Sequence, residues 1–161
     1  MATLHSLKVD KKLPATLIAE LLLTEYDLTP ISISEQIQGQ IQNNTALGHN
    51  LELELSSGQL LKTETIEILL NRIFTENKSK DILLYSYPRT QSQLDSLRIL
   101  LSNHDIGFGK IWHFKDVDTN EPSHEEIMAN ELISIAVHSK ASLTKDILKE
   151  LIKSCTNIGL A

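Results

Sequence analysis

The stretch DILLYSYPRTQSQ, residues 81–93, decides the fold of this 161-residue chain. It begins with a short apolar run, Ile82 to Tyr85, which predicts a strand buried on both of its faces. A polar loop follows, and Thr90 and Gln93 then have the S/T-x-x-E/Q spacing that begins many helices. Apolar residues continue along one face of that helix at Leu94, Leu97 and Leu101. The stretch therefore predicts a buried strand that turns through a loop into an amphipathic helix.

Helices and strands alternate on both sides of this stretch. Further strands are predicted at residues 3–9, 28–31 and 110–114. Helical patterns cover residues 13–26, 90–101, 123–136 and 143–155, and an all-helical stretch covers residues 32–76. Alternation of this kind is typical of a parallel sheet covered by helices. We therefore expect an α/β fold, a three-layer parallel sheet of three to four strands with helices on both faces.

No repeat or long linker divides the chain, so residues 1–161 are predicted to form a single domain. The all-helical stretch at about 32–76 is predicted to be an insertion into it. Ser32 and Glu35 have capping-box spacing at its start. Ser123 and Glu126 have the same spacing, and they predict a helix that carries Ile127, Leu132, Ile135 and Ala136.

Composition excludes several classes of protein. The net charge is −6, and no basic patch with aromatic partners is present, so we expect no nucleic-acid partner. No apolar run approaches the roughly 18–20 residues that a membrane span needs. One cysteine cannot form an internal disulfide, and the first 12 residues lack a signal-peptide pattern, so a cytoplasmic location is expected.

Histidines and carboxylates cluster in sequence after the strand at 110–114, at His113, Asp116, Asp118 and His124. Their spacing matches no metal-binding motif. We interpret them as a group of strand-end carboxylates on a loop, and we predict no metal site.

Four landmarks, in order, resemble the adenylate kinase family of nucleoside monophosphate kinases. Residues 26–32, YDLTPIS, look like the family's KYG-x-x-x-IS, and Ala46-Leu47-Gly48 looks like its LG. Residues 58–63, GQLLKT, are similar to G-x-L-V-x-D, and residues 83–93 resemble LLDGFPRTxxQ. The resemblance runs from about Pro14 to Asp116, and it implies the phosphate-loop nucleotide-binding fold with a helical monophosphate-binding insertion at about 32–76.

The resemblance also implies which residues form a monophosphate site. Arg89 stands where the family's arginine binds the phosphate, which suits a guanidinium because it offers paired hydrogen bonds. Gln93 stands where a glutamine pairs with the edge of adenine. Leu60 and Leu61 match positions that contact the base, and Tyr87 replaces a phenylalanine beside the ligand.

The chain departs from the family at the triphosphate site. Residues 9–17, VDKKLPATL, stand where the family has its glycine-rich phosphate loop, and they contain no glycine. Tyr85 replaces the strand-end aspartate linked to the metal, so we expect no Mg²⁺ cofactor. Gln38 stands where a second phosphate-binding arginine is expected, and the segment after Phe114 has no arginine for a lid. Because phosphoryl transfer depends on charge neutralisation and positioning, we predict no kinase turnover.

The leading hypothesis is a catalytically inactive adenylate-kinase-like protein that acts as a binding or interaction module, with a weak purine mononucleotide site at Arg89 and Gln93. The alternative for these two residues is structural, with Arg89 bonding loop carbonyls and Gln93 capping the helix. A rival hypothesis is a divergent kinase that uses Lys11 and Lys12 at a rebuilt triphosphate site. A third is a structural subunit of a larger assembly, and the apolar final helices motivate a homo-oligomer or a protein partner.

Overall fold

The computed structural model describes residues 1–58, 61–119 and 127–159. Eleven elements follow in chain order: β1 Thr3–Val9, α1 Ala15–Tyr26, β2 Thr29–Ser32, α2 Ile33–Gln42, α3 Ala46–Ser56, α4 Thr63–Glu76, β3 Ile82–Tyr85, α5 Gln91–Asn103, β4 Gly107–Asp116, β5 Leu132–Val137 and α6 Lys145–Gly159. The strands predicted near residues 3–9, 28–31, 82–85 and 110–114 are all present, so that part of the prediction is confirmed.

The five strands form one parallel sheet in the order β2-β3-β1-β4-β5. Alternating side chains of each strand face opposite layers, so Ile82 and Leu84 pack with α2 to α5 whereas Leu83 packs with α1 and α6. The predicted three-layer parallel sheet with helices on both faces is therefore confirmed. Within the described ranges, no helix is both long enough and apolar enough to cross a membrane.

One element in the second half of the chain differs from the prediction. Leu132, Ile135 and Ala136 were expected on a helix, but they lie in β5, which pairs with β4. This strand brings the sheet to five strands instead of three to four. Residues 120–126, which hold the predicted capping pair Ser123 and Glu126, lie outside the described residues.

The helical insertion matches its predicted position, since α2, α3 and α4 occupy residues 33–76 between β2 and β3. Ser32 caps α2 as expected, because its hydroxyl accepts a hydrogen bond from Glu35 N at 3.4 Å. The side chain of Thr45 caps α3 by accepting from Gly48 N at 2.9 Å. The insertion packs on the same face of the sheet as α5, and its core residues include Ile37, Leu51 and Leu69.

The side chain of His5 on β1 bonds to the backbone of β4, where the two strands pair. The His5 Nδ1 atom accepts a hydrogen bond from Lys110 N at 3.0 Å, and its ring stacks on Tyr26 with centroids 6.2 Å apart. A Cβ at Gly109 would lie 2.5 Å from this ring, so any other residue there would displace the ring from this position. The register between the strands shifts at the same place, between Leu4 and Ser6.

Candidate functional site

A crevice of about 420 Å³ opens where β1, β2 and β3 end, beside α1. The chain leaves β1 into α1 on one face of the sheet, and it leaves β3 into α5 on the other face. Ligands of open parallel sheets bind at such a divergence, outside the carboxyl ends of the strands. The end of the sheet at β1 to β3 is therefore the candidate functional site, and the loops after β1 and β3 decide its chemistry.

The loop after β1 is a packed turn. Leu13 N donates to the Asp10 carbonyl at 3.0 Å, and the Leu13 side chain is only 5% exposed in the core against α1. The Asp10 carboxylate reaches β4, where one oxygen accepts from Asp116 N at 2.9 Å and the other lies 3.1 Å from His113 Nε2. The loop is thus fastened to the sheet by an apolar side chain and by a carboxylate.

Asp116 extends this network to the residues that follow β4 and β5. Its side chain is buried and accepts hydrogen bonds from Asp118 N, Thr119 Oγ1 and Ser139 N at 3.0–3.1 Å. Burial raises the pKa of Asp116, but these hydrogen bonds outweigh it and lower the pKa to about 2. Among the described residues, no group of three histidine, cysteine or carboxylate side chains could hold a metal ion. The Asp116 carboxylate is thus held by protein donors.

Two half-buried histidines make the stability of this fold depend on pH. Burial lowers the pKa of His5 and of His113, although Asp81 and Asp10 respectively offset part of each shift. An unfolded histidine titrates near about 6.5, so between that pH and the folded pKa values the unfolded chain binds more protons. The contribution of these two histidines to the free energy of unfolding is therefore fully present above about pH 6.5, and it is lost as pH falls through the folded pKa values.

We expect the free energy of unfolding to fall between about pH 7.5 and pH 5.5. Urea denaturation followed by the fluorescence of Trp112, which is fully buried, measures it. A double variant, His5→Asn with His113→Gln, retains an acceptor and a donor near the original positions and should show a shallower pH slope. A wild-type stability that stays level or rises on acidification would contradict this prediction.

The loop after β3 orients Arg89. The Nε atom of Arg89 donates to the Ser86 carbonyl at 3.0 Å, and Ser86 itself has a positive φ of 61°. Gln93 Oε1 accepts from Arg89 N at 2.8 Å, and Thr90 Oγ1 accepts from Gln93 N at 3.1 Å. The predicted helix cap is thus present, except that the Gln93 side chain bonds the amide of Arg89 and not that of Thr90. The guanidinium lies at the surface next to Ser86, which lines the crevice.

Arg89 differs from the other two arginines of the chain. Arg98 forms a bidentate pair with Glu131 at 2.9 and 2.8 Å, and Arg72 Nη1 donates to Gln40 Oε1 at 2.8 Å. For the terminal nitrogens of Arg89, no partner is present in the part of the chain that the structure describes. Arg89 is therefore the arginine that can bind an anion without first breaking a side-chain contact.

The remaining candidate residues take different positions. Gln38 is exposed on α2, and Leu61 is half-buried against the core of the insertion. Leu60 lies outside the described residues. Tyr87 is only 4% exposed, and Ser6 Oγ donates to its carbonyl oxygen. The structure thus brings Arg89, Gln93 and Tyr87 together in one loop and helix start, with Gln38 on a separate element.

The hydroxyl of Tyr87 is buried and has no hydrogen-bond partner among the described residues. Burial raises the pKa of Tyr87 to about 12, and the carboxylate of Glu67 adds to the shift. A buried phenol that donates to nothing carries a desolvation cost of about 1–3 kcal/mol. This cost makes the Tyr87 hydroxyl a destabilising group in the free protein.

Tyr87→Phe should raise the free energy of unfolding of the free protein by about 1 kcal/mol, because it removes the unpartnered hydroxyl. Tyr85→Phe is the matched control at a half-buried position, and it should change stability by less than about 0.5 kcal/mol. Urea denaturation of both variants measures the difference. A Tyr87→Phe protein that is less stable than wild type would show that the hydroxyl has a partner in solution.

Sequence reasoning missed the alanines that shape the crevice. Ala15 and Ala19 line it from α1. They are four residues apart and so share one side of a helix, which is the signal that could have revealed them. The link from Asp10 to His113 carried no comparable signal, because the two residues are 103 positions apart.

No family model matches the chain. Curated relatives do match it, and each is named adenylate kinase. One from Azobacteroides pseudotrichonymphae is 30% identical over 117 residues, which is 72% of this chain and 61% of that protein. One from Clostridium tetani is 34% identical over 86 residues, 53% of this chain and 40% of that protein. One from Bacteroides fragilis is 29% identical over 84 residues, 52% of this chain and 44% of that protein.

The chain therefore spans about 40–60% of the length of these curated relatives. The match agrees with the four landmarks that the sequence carries, and the parallel sheet with its helical insertion agrees with the fold that they imply. These matches support a relationship of this chain to the adenylate kinase family.

Proposed function

We propose that this protein binds a purine nucleoside monophosphate through Arg89 and does not transfer phosphate. The observation that supports it best is the packed loop after β1, where a phosphate-binding loop would have to lie. The carboxylate of Asp10, at the start of this loop, is already bonded to Asp116 N and His113. Because the chain spans only part of its relatives, their activity as kinases is not transferred to it.

The backbone geometry of this loop opposes a triphosphate. A phosphate cradle needs backbone N–H groups that converge on the anion, together with a lysine. Here Leu13 turns inward, Pro14 has no N–H to offer, and Ala15 begins the helix. Loss of one arginine of the finger type can cost about 10³–10⁵ in the rate of phosphoryl transfer. This chain has no arginine after Phe114 and no phosphate cradle, and both losses support the proposal that it does not transfer phosphate.

The geometry around Arg89 supports the retained monophosphate contact. Its Nε–H bond to Ser86 O fixes the plane of the guanidinium and leaves its terminal nitrogens at the surface. A charged hydrogen bond of this kind contributes about 1.5–3 kcal/mol. With Gln38 on α2 in place of a second arginine, we expect an affinity for AMP of about 0.1–1 mM.

Calorimetric titration with AMP tests the binding. Arg89→Ala should weaken AMP binding by about 10-fold to 100-fold, the equivalent of one charged contact. Lys80→Ala is the matched control, because it removes the same charge from an exposed residue at the opposite end of β3. It should leave the affinity within about twofold of wild type, since exposed charges on the far side are screened. Absence of any heat at millimolar AMP would leave only a scaffold role.

A coupled assay for ADP formation from ATP and AMP tests the second half of the proposal. We expect turnover at background. Measurable ADP formation that disappears in Arg89→Ala would overturn the proposal and support the divergent kinase. In that case Lys11 and Lys12, which are both exposed on the loop after β1, would be the residues to replace next.

A further inference from the structure

We propose that two copies of this chain associate edge to edge through β5, Leu132–Val137, so that antiparallel pairing joins their sheets. This proposal does not rest on AMP binding at Arg89. The sheet order β2-β3-β1-β4-β5 places β5 at one edge, and among the described residues no strand pairs with its outer side. A strand in that position presents a row of backbone N–H and C=O groups that can pair with another chain.

The hydrogen bonds to β4 determine which residues of β5 face outward. Glu131 O accepts from Ile111 N at 3.0 Å at the start of the strand. Val137 O accepts from Val117 N at 2.9 Å at its end, so both ends face β4 in the same way. Successive residues of a strand point their N–H and C=O groups to alternate sides. The backbone groups of the alternate residues therefore point to the free edge: Leu132, Ser134 and Ala136.

The opposite edge of the sheet is protected in a way that β5 is not. Thr29 N donates to Asp81 O at 2.7 Å, which turns the backbone of Thr29 toward β3 and that of Pro30 to the free edge. Proline has no N–H, so the donor that a further strand would use is missing there. The six residues of β5, LISIAV, include neither proline nor a charged side chain, the usual protections of an edge. Edge pairing is therefore hindered at β2 and open at β5.

The outward groups of β5 are self-complementary, which favours a second copy of the same strand as the occupant. In an antiparallel pair centred on Ser134, its N–H and C=O bond the C=O and N–H of the same residue in the other copy. At each end, Ala136 N donates to Leu132 O of the other copy, whereas Leu132 N already donates to Ala129 O at 3.2 Å. The exposed side chains of Ser134 and Ala136 are small and uncharged, so neither holds the second strand away. A two-fold axis at Ser134 closes the assembly as a dimer.

Sedimentation equilibrium of the wild type and of two Ser134 variants tests this interface. A contact of one strand is small, so we expect a weak dimer that is populated at about 200 µM. Ser134→Pro removes an N–H that faces the free edge, and it should weaken the dimer by at least about tenfold. Ser134→Ala is the matched control, because it keeps the N–H, and it should dimerise within about twofold of wild type. Urea denaturation of both variants separates a lost interface from a lost fold.

Cysteine cross-linking tests the register, and it does not depend on the proline variant. At the two-fold axis the Cα atoms of Ser134 in the two copies would lie about 5.5 Å apart, within the range of about 4.4–6.8 Å that a disulfide spans. Ser134→Cys, made together with Cys155→Ser, should therefore form a covalent dimer on mild oxidation. Ala136→Cys in the same background is the control, because its two Cα atoms would lie about 14 Å apart, too far for a disulfide.

Three outcomes would each overturn the proposal. The first is a wild type that sediments as a monomer at about 200 µM. The second is a folded Ser134→Pro protein that dimerises as tightly as Ser134→Ala, and the third is equal cross-linking at positions 134 and 136. A dimer that Ser134→Pro weakens, together with cross-linking at position 134 alone, supports it. Arg89→Ala should leave dimerisation unchanged, which separates this result from the proposal on AMP binding.

Discussion

Gly48→Ala should lower the free energy of unfolding by about 3 kcal/mol, because the new methyl group has no space. A Cβ at Gly48 would lie 2.0 Å from the carbonyl oxygen of Gln40, which belongs to α2. That oxygen is held in place, since it also accepts from Thr45 N at 3.3 Å. The new methyl group would clash with backbone atoms of α2, so no side-chain rotation relieves the contact, and α2 and α3 would have to separate.

Gly39→Ala is the matched control for this prediction. Gly39 lies within α2, and a Cβ there would meet nothing within 4 Å. Alanine in a helix interior is favoured over glycine by about 0.5–1 kcal/mol, so this variant should be slightly more stable than wild type. Urea denaturation of both variants compares them. Equal effects of the two substitutions would mean that the close approach of α2 and α3 does not exist in solution.

Elements with a local signal in the sequence were predicted where they occur. Thr90 and Ser32 accept hydrogen bonds from the amides three residues on, as their capping spacing requires. The run Ile82 to Tyr85 forms the buried strand, and the loop after it places Arg89 at the surface. These features depend on residues close together in the chain, which explains why the sequence was sufficient.

The strand β5 was predicted wrongly because two periodicities coincide there. Leu132, Ile135 and Ala136 fit helical spacing, but the six-residue run Leu132–Val137, apolar except for Ser134, fits a strand equally well. In the structure Ile135 and Val137 are buried while Ala136 between them is exposed, which is the two-residue period of a strand. Pairing with β4 decides the outcome, and no short window of sequence contains that partner.

The architecture of the site depended on contacts distant in sequence. Asp10 joins His113 and Asp116, which are 103 and 106 residues away. The crevice exists because β1 lies next to β3 in the sheet while their connections leave to opposite faces. The absence of glycine from residues 9–17 is evident in the sequence. The packed turn that these residues form is not, because it depends on contacts with α1 and β4.

Leu13→Ala should lower the free energy of unfolding by about 2–4 kcal/mol, because it opens a cavity under the loop after β1. The Leu13 side chain is 5% exposed, in the same core cluster as Ile18, Trp112 and Phe114. In a loop that cradled phosphate, this position would face the ligand and contribute little to folding. The prediction therefore tests whether the loop is part of the hydrophobic core.

Lys12→Ala is the control for this variant, since Lys12 is the exposed neighbour in the same loop and should cost less than about 0.5 kcal/mol. Thermal melts with and without ATP and Mg²⁺ complete the comparison. A ligand that binds the folded loop at 100 times its dissociation constant adds about 2.7 kcal/mol of stability. If the loop is packed, ATP with Mg²⁺ should not raise the melting temperature of the wild type. If Leu13→Ala leaves the stability unchanged and ATP with Mg²⁺ does raise the melting temperature, the loop is a phosphate site and the protein is a candidate kinase.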